Sequence, residues 1–223
     1  MDQQPRPGVW QKKGARDRLI RLAANHWDWA LGFEDESWFS RLARPTLHTW
    51  AETGQPLRLV EQSLPKDDPE PKALACYGLL VRWHPSQGPP QEEVWLRFVD
   101  GRPVSWVSIA FLEWVCSKLE ALGKKALLLV WEPASWHKSH LVEEWIKGHN
   151  HQAKQEGKGV RILPCPLPTK SPWLNPMEPH WVHAKRKVVE ADGLLSADQL
   201  AGRVCDQFGC QHESHLAIPE KVP

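Results

Sequence analysis

Lys125-Ala-Leu-Leu-Leu-Val-Trp131 is a continuous apolar run closed directly by Glu132. The run is too short for a helix with one buried stripe, and its uniform apolarity leaves no solvent face. It therefore reads as a strand in the centre of a sheet that is covered on both sides. The flanking sequence agrees. Upstream, Val104 to Leu122 sets Val107, Phe111, Trp114, Val115, Lys118 and Leu122 at helical spacing, and Gly123 is the stop signal. Downstream, a second helix is expected from Ser139 to about Glu156, ended by Gly157-Lys-Gly159, and a strand follows over Val160 to Leu163.

Further out, Trp10 to His26 reads as a short basic helix, and Trp29-Ala-Leu-Gly-Phe-Glu-Asp-Glu36 as an apolar strand ending in acids. Lys72 to Trp83 and Glu93 to Val99 are two strands of a hairpin, joined by the turn-rich His84-Pro-Ser-Gln-Gly-Pro-Pro-Gln91. Prolines make Pro65 to Pro71 an exposed loop and Pro164 to Pro172 an extended one. A third helix is expected from about Asn175 to Val189, and a last one from Ser196, its cap, to Phe208. The predicted architecture is α/β, a mixed sheet of about five strands with helices on both faces. It forms one domain over residues 15–217, with a flexible tail at 1–14 and a short tail at 218–223.

Composition narrows the function only by exclusion. Lys and Arg number 28 against 27 Asp and Glu, so no global field argues for nucleic acid, membrane or acidic substrates. The five cysteines have no regular spacing, and Cys76 and Cys116 stand among apolar residues, which fits reduced thiols. With no signal-peptide pattern and no run approaching the ~20 apolar residues of a membrane span, the expected location is the cytoplasm, nucleoid-associated when bound to DNA. Of the 14 tryptophans, Trp50, Trp83, Trp95, Trp106, Trp114 and Trp145 fall within apolar patterns and read as packing residues.

Three acids lie where the elements would aim them at one edge: Asp35 ending the first strand, Glu132 ending the central strand and Glu178 opening a helix. Gathered carboxylates bind hard cations such as Mg2+. A pair of such ions activates an attacking oxygen and stabilises a leaving one in phosphodiester chemistry.

The words around these acids are more specific: Asp35-Glu-Ser-Trp38, Ala134-Ser-Trp-His-Lys-Ser139, and Ser171-Pro-Trp-Leu-Asn-Pro-Met-Glu-Pro-His-Trp181. Together they resemble the insertion-sequence DDE transposases related to the mariner superfamily, over nearly the whole chain from about residue 15. The resemblance implies an RNase H-like catalytic domain. It also implies two Mg2+ (or Mn2+) ions held by Asp35, by the position that Glu132 occupies and by Glu178. The implied partners are double-stranded DNA ends of a mobile element and target DNA, with a homodimer on DNA. Asn175 is placed to cap the helix and fix Glu178, Trp181 to anchor it in the core, and His137 to orient a ligand or touch a phosphate. Lys185, Arg186 and Lys187 either meet the DNA backbone or form an ordinary exposed face.

Two departures bear on activity. The family's Asp-Asn pair reads Glu132-Pro133 here; glutamate moves the carboxylate outward by ~1.5 Å, and Pro133 removes a backbone donor. Metal sites tolerate such displacement poorly, so impaired catalysis is expected. The helix-turn-helix region that recognises element ends has no counterpart in Met1 to Ala30, and the polar stretch Gly148 to Gly159 reads as an insertion that lengthens a helix. The alternative is a catalytically inactive remnant that binds DNA or a full-length transposase; an RNase H-like repair or RNA-processing nuclease is disfavoured by the word around Glu178. Cys205, Cys210, His212 and His215 offer four zinc-type ligands at a spacing that matches no standard finger.

Overall fold

In the computed structural model, residues 9–42, 64–169, 171–188 and 194–217 are described. Trp50, most of the expected N-terminal tail and the C-terminal tail lie outside them. The elements run α1 (Val9–Ala24), β1 (Trp29–Ser40), β2 (Ala73–Trp83), β3 (Gln91–Asp100), α2 (Ser105–Ala121), β4 (Ala126–Trp131), α3 (His140–Glu156), β5 (Arg161–Pro166), α4 (Met177–Val188), α5 (Ala197–Phe208) and β6 (Leu216–Ala217). The sheet order is β5-β4-β1-β2-β3-β6. β1, β2 and β3 form an antiparallel meander, while β4 and β5 add in parallel beside β1, and β6 lies parallel to β3. This is the mixed sheet that the sequence predicts, with the short β6 added at one edge.

Every residue of β4 is buried, as a strand with no polar face must be. Successive side chains enter two cores. Leu127, Leu129 and Trp131 join Val107, Phe111, Val115, Val142 and Ile146 of α2 and α3 on one face. Leu128 and Val130 join Trp181, Ala184, Leu200 and Val204 of α4 and α5 on the other, together with Ala23 of α1. Full burial of each such side chain contributes roughly 1.5–3 kcal/mol. Trp83 and Trp95 lie in the first core, and Trp106, Trp114 and Trp145 pack against it, so these tryptophans are packing residues.

The helix boundaries follow their caps. Ser139 accepts from Val142 N at the start of α3, and Gly157 ends it in the left-handed conformation. Ser196 and Gln199 form a reciprocal capping box on α5. The polar stretch from Gly148 lies on α3, whose Asn150 side chain bonds both the N–H and the C=O of Ile162 in β5.

Three boundaries differ from expectation: residues 9–14 of the expected flexible tail are the start of α1, and two strand ends lie elsewhere. Pro164 and Pro166, assigned to a loop, are the end of β5. The strand sits at the sheet edge and, among the described residues, pairs only with β4, so alternate prolines can turn their missing donors outward while Leu167 N reaches Trp131 O at 2.8 Å. β1 continues through Ser40 rather than ending at its acids, because β2 pairs with it as far as Ser40↔Ala73. β4 pairs with β1 only as far as Phe33↔Val130. Glu34, Asp35 and Glu36 therefore lie just beyond the point where the parallel neighbour stops, a notch at the carboxyl end of the sheet.

Gly78 pairs with Asp35 in the register. A Cβ there would lie 2.7 Å from Met177 Cε and closer still to the Trp181 ring. The bare glycine lets α4 sit down on β1 and β2. Gly78→Ala is expected to destabilise the fold by about 1–3 kcal/mol through overpacking. Gly202→Ala, at an open position on α5, is expected to gain up to about 1 kcal/mol. Urea unfolding midpoints check both, and an unchanged midpoint for Gly78→Ala contradicts the packing described.

Candidate metal centre

Strand alternation sorts the three consecutive acids of β1. Asp35 shares the face of Leu31, Phe33 and Phe39, which pack toward α4 and α5. Glu34 and Glu36 share the opposite face with Ala30, toward α2 and α3. Glu132, one residue past β4, has the parity of Leu128 and Val130 and so falls on Asp35's side. Glu178 enters from the first turn of α4.

Asp35 is 9% exposed, and its Oδ2 accepts from the indole Nε1 of Trp181 at 3.0 Å. Burial, then the negative charges of Glu178, Glu36 and Glu132, push its pKa up from 3.8 to about 8. Burial, then Glu178 and Glu36, likewise raise Glu132, whose Oε1 is buried without a hydrogen-bond partner. Glu178 and Glu132 thus lie near enough to oppose the ionisation of Asp35, and Glu178 near enough to oppose that of Glu132, although the ligand atoms of the three acids do not all lie within 4.8 Å of one another. Like charges held together by a fold are what a bound cation relieves.

Asn175 behaves as its place in the sequence predicts. Its Oδ1 accepts from Met177 N at 3.1 Å, its carbonyl accepts from Glu178 N at 3.2 Å, and its Nδ2 donates to Glu34 O at 2.9 Å. One buried side chain therefore caps α4 and ties it to β1. Trp181 is 2% exposed, with its ring edge-on to Phe39 and Phe208. Of the basic run, Lys185 lies over the Phe39 ring and is half-buried, while Arg186 and Lys187 are exposed.

His137 sits deeper than its loop position predicts. It is 3% exposed and stacked on Trp131, with ring centroids 4.4 Å apart. Its Nδ1 lies 2.8 Å from Glu132 O, so the ring braces the peptide that carries Glu132 rather than facing a phosphate at the surface. That carbonyl also accepts from Ala134 N at 2.9 Å, closing a tight turn centred on Pro133, whose fixed φ suits it.

Sequence reasoning missed Glu34 and Glu36 as partners of His137. Among the described residues, these are the set of three whose ligand atoms all lie within 4.8 Å of one another. The alternation of β1 was the available signal, but His137 comes from a loop far along the chain. The four C-terminal zinc-type residues separate into pairs instead: Cys205 hydrogen-bonds Cys210, while His212 Nε2 lies 3.2 Å from His215 Nε2, and His215 Nδ1 lies 2.8 Å from Asp100.

The raised Asp35 pKa has a definite sign. In the metal-free fold Asp35 stays neutral until about pH 8, whereas the unfolded chain ionises it near 3.8. Its contribution is complete below the unfolded value and is lost as pH rises through the folded one. Glu34 and Glu132 are raised as well and act in the same direction. In EDTA, the melting temperature is expected to fall as pH rises from about 4 to 8. Asp35→Asn is expected to shrink that fall, and an equal fall in the variant contradicts the assignment.

Comparison with known proteins bears on the fold that carries these residues. A comparison with curated protein sequences finds no significant match. The sequence profile described as DDE superfamily endonuclease matches residues 94–201, a stretch that holds Glu132 and Glu178 and begins after Asp35. Among solved structures, the chain is similar to a Mos1 transposase paired-end complex with left transposon end, at TM-score 0.56 and 12% identity over 95% of this chain and 57% of that one. It is also similar to mariner Mos1 paired-end complexes with Mg, at TM-score 0.55 and 13% identity over 93% of this chain and 56% of that one. The corresponding complex with Mn gives TM-score 0.54 and 13% identity over 94% and 57%. The chain thus spans little more than half the length of the Mos1 chains it matches. The likeness shows the fold, a six-stranded mixed sheet of RNase H-like type with helices on both faces. No helix among the described residues is long and apolar enough to cross a membrane. Residues 94–201, just under half of the chain, are thus similar to a DDE superfamily endonuclease domain, and the whole chain shares the fold of these Mos1 structures.

Proposed function

We propose that the chain is a transposase catalytic domain that performs metal-dependent phosphodiester hydrolysis and strand transfer at the ends of an insertion sequence. The observation that carries this reading is the convergence of Asp35, Glu132 and Glu178 on one side of the notch between β1 and β4, where Glu178 raises the pKa of both Asp35 and Glu132 and Glu132 adds to the rise at Asp35. The donor set fits hard divalent ions. All three are carboxylates, Glu132 Oε1 is buried and unpartnered, and Asp35 keeps one oxygen beyond the bond from Trp181. Asp35, Glu132 and Glu178 would hold two Mg2+ or Mn2+ ions. Such ions lower the pKa of an attacking water or 3′-hydroxyl and stabilise the leaving oxygen of the phosphodiester.

The residues around the acids orient them. Trp181 fixes the Asp35 carboxylate, Asn175 sets the start of α4 and so the position of Glu178, and His137 holds the Glu132 peptide. The exposed Arg186 and Lys187 extend from Glu178 along α4 and suit contact with the DNA backbone, which positions without reading sequence. Two copies of the chain would serve two element ends, as the bridging of two DNA ends requires.

Glu132-Pro133 slows the reaction in this account. The Pro133 turn directs a side chain one methylene longer than aspartate into a site whose surroundings are already set by β4 and His137. The test is strand cleavage of DNA carrying the element's terminal repeats, with Mg2+ or Mn2+. Glu132→Asp with Pro133→Asn is expected to cleave at least about tenfold faster than the unmodified chain, and Glu178→Ala to abolish cleavage. Equal rates for the unmodified chain and the restored pair contradict the impairment. Cleavage that survives Glu178→Ala contradicts the site.

A further inference from the structure

We infer that Glu34, Glu36 and His137 form a second cation site, on the face of β1 opposite Asp35, that takes a divalent transition metal of the Zn2+ or Mn2+ class. The inference rests on their own geometry and does not depend on the transposase reading. Glu34 is 1% exposed and His137 is 3% exposed. Both carboxylate oxygens of Glu34, and Nε2 of His137, are buried without a hydrogen-bond partner. Two unpartnered groups this deeply buried lie side by side: His137 Nε2 is 3.4 Å from Glu34 Oε2 and 2.9 Å from Glu36 Oε1. Neither contact has the alignment of a hydrogen bond.

The protonation of the ring follows from its other nitrogen. Nδ1 faces the carbonyl oxygen of Glu132 at 2.8 Å and must donate to it, because a carbonyl only accepts. In the neutral ring Nε2 then carries a bare lone pair beside two carboxylates. A histidine that ligates a metal through Nε2 while giving Nδ1–H to a backbone carbonyl is the usual arrangement of metal sites. A cation about 2.0–2.2 Å from each ligand sets neighbouring ligand atoms about 3.0 Å apart in an octahedron and about 3.4 Å apart in a tetrahedron. The two observed separations have this size. A nitrogen donor beside carboxylates selects Zn2+, Mn2+ or Co2+ over Mg2+ and Ca2+, which prefer all-oxygen shells.

The surrounding contacts hold the three ligands in place. Trp136 Nε1 donates to the same Glu36 Oε1, the His137 ring stacks on Trp131, and the carbonyl of Glu34 is fixed by Asn175 Nδ2. A metal here would lock the loop after β4 against β1 and, through His137 Nδ1, fix the peptide of Glu132. Its role toward the opposite face is therefore positioning, and it holds no reacting atom.

The test is equilibrium binding of Co2+ and Zn2+ to the full chain, read by visible absorbance for Co2+ and by metal analysis after dialysis for Zn2+. An Asp35→Asn, Glu178→Gln double variant empties the opposite face, and it is expected to retain one Co2+ per chain. Adding His137→Gln to that background is expected to weaken binding more than about tenfold. Circular dichroism in EDTA checks that each variant folds. Should His137→Gln not fold, pulsed EPR of Mn2+ in the double variant decides, and imidazole nitrogen coupling is the expected signal. Absence of a bound ion in the double variant, unchanged affinity on adding His137→Gln, or an all-oxygen Mn2+ spectrum overturns the inference.

Discussion

Asp35 stands in the interior of a sheet, where an unpaired carboxylate costs several kcal/mol. Its described side-chain hydrogen bond comes from Trp181, whose Nε1 reaches Oδ2 at 3.0 Å. Much of the architecture follows from delivering that indole. α4 must lie flat on β1 and β2, and the strand residue beneath it must lack a side chain, which is what Gly78 provides opposite Asp35. The helix must also start at a fixed height, and Asn175 sets this by capping α4 while donating to the carbonyl of Glu34. One polar contact thus couples the registry of a strand pair, the seat of a helix and the position of Glu178 in its first turn.

A single strand divides the acids between two environments. Because side chains alternate along β1, Asp35 meets Glu132 and Glu178 on one face while Glu34 and Glu36 meet His137 on the other. The two groups remain coupled across the strand: Glu36 helps raise the pKa of Asp35, and Glu132 helps raise that of Glu34. His137 is the mechanical link, with one ring nitrogen on the Glu132 carbonyl and the other beside Glu34 and Glu36. The Pro133 turn sits at this junction, so substituting the residues that follow β4 bears on both faces at once.

Elements whose signals are local were legible in the sequence. The uniform apolarity of β4, the capping box of Ser196 and Gln199 and the cap at Ser139 each state their structure within a few residues. Asp35, Glu132 and Glu178 could be singled out because each adjoins such an element. Features set by pairing between distant segments were not legible. β1 outruns its acids because β2 stays beside it, Pro164 and Pro166 belong to a strand because β5 is an edge, and β6 exists only by its contact with β3. Glu34 and Glu36 looked like ordinary flanking charges until the fold brought His137 to them across about a hundred residues of chain. The four cysteine and histidine residues near the C-terminus show the converse: close in sequence, they gather as a cysteine pair and a histidine pair rather than as one set of four.

In the proposed function, Asp35, Glu132 and Glu178 are held together against their own repulsion to bind divalent cations. The most direct measurement is a crystal structure of the chain grown with Mn2+, with the ions located by anomalous scattering. An anomalous peak is expected in contact with the Asp35 carboxylate and with at least one of Glu132 and Glu178. Saturating Mn2+ with no peak at Asp35, and with its Oδ2 still bonded to Trp181, would overturn this reading.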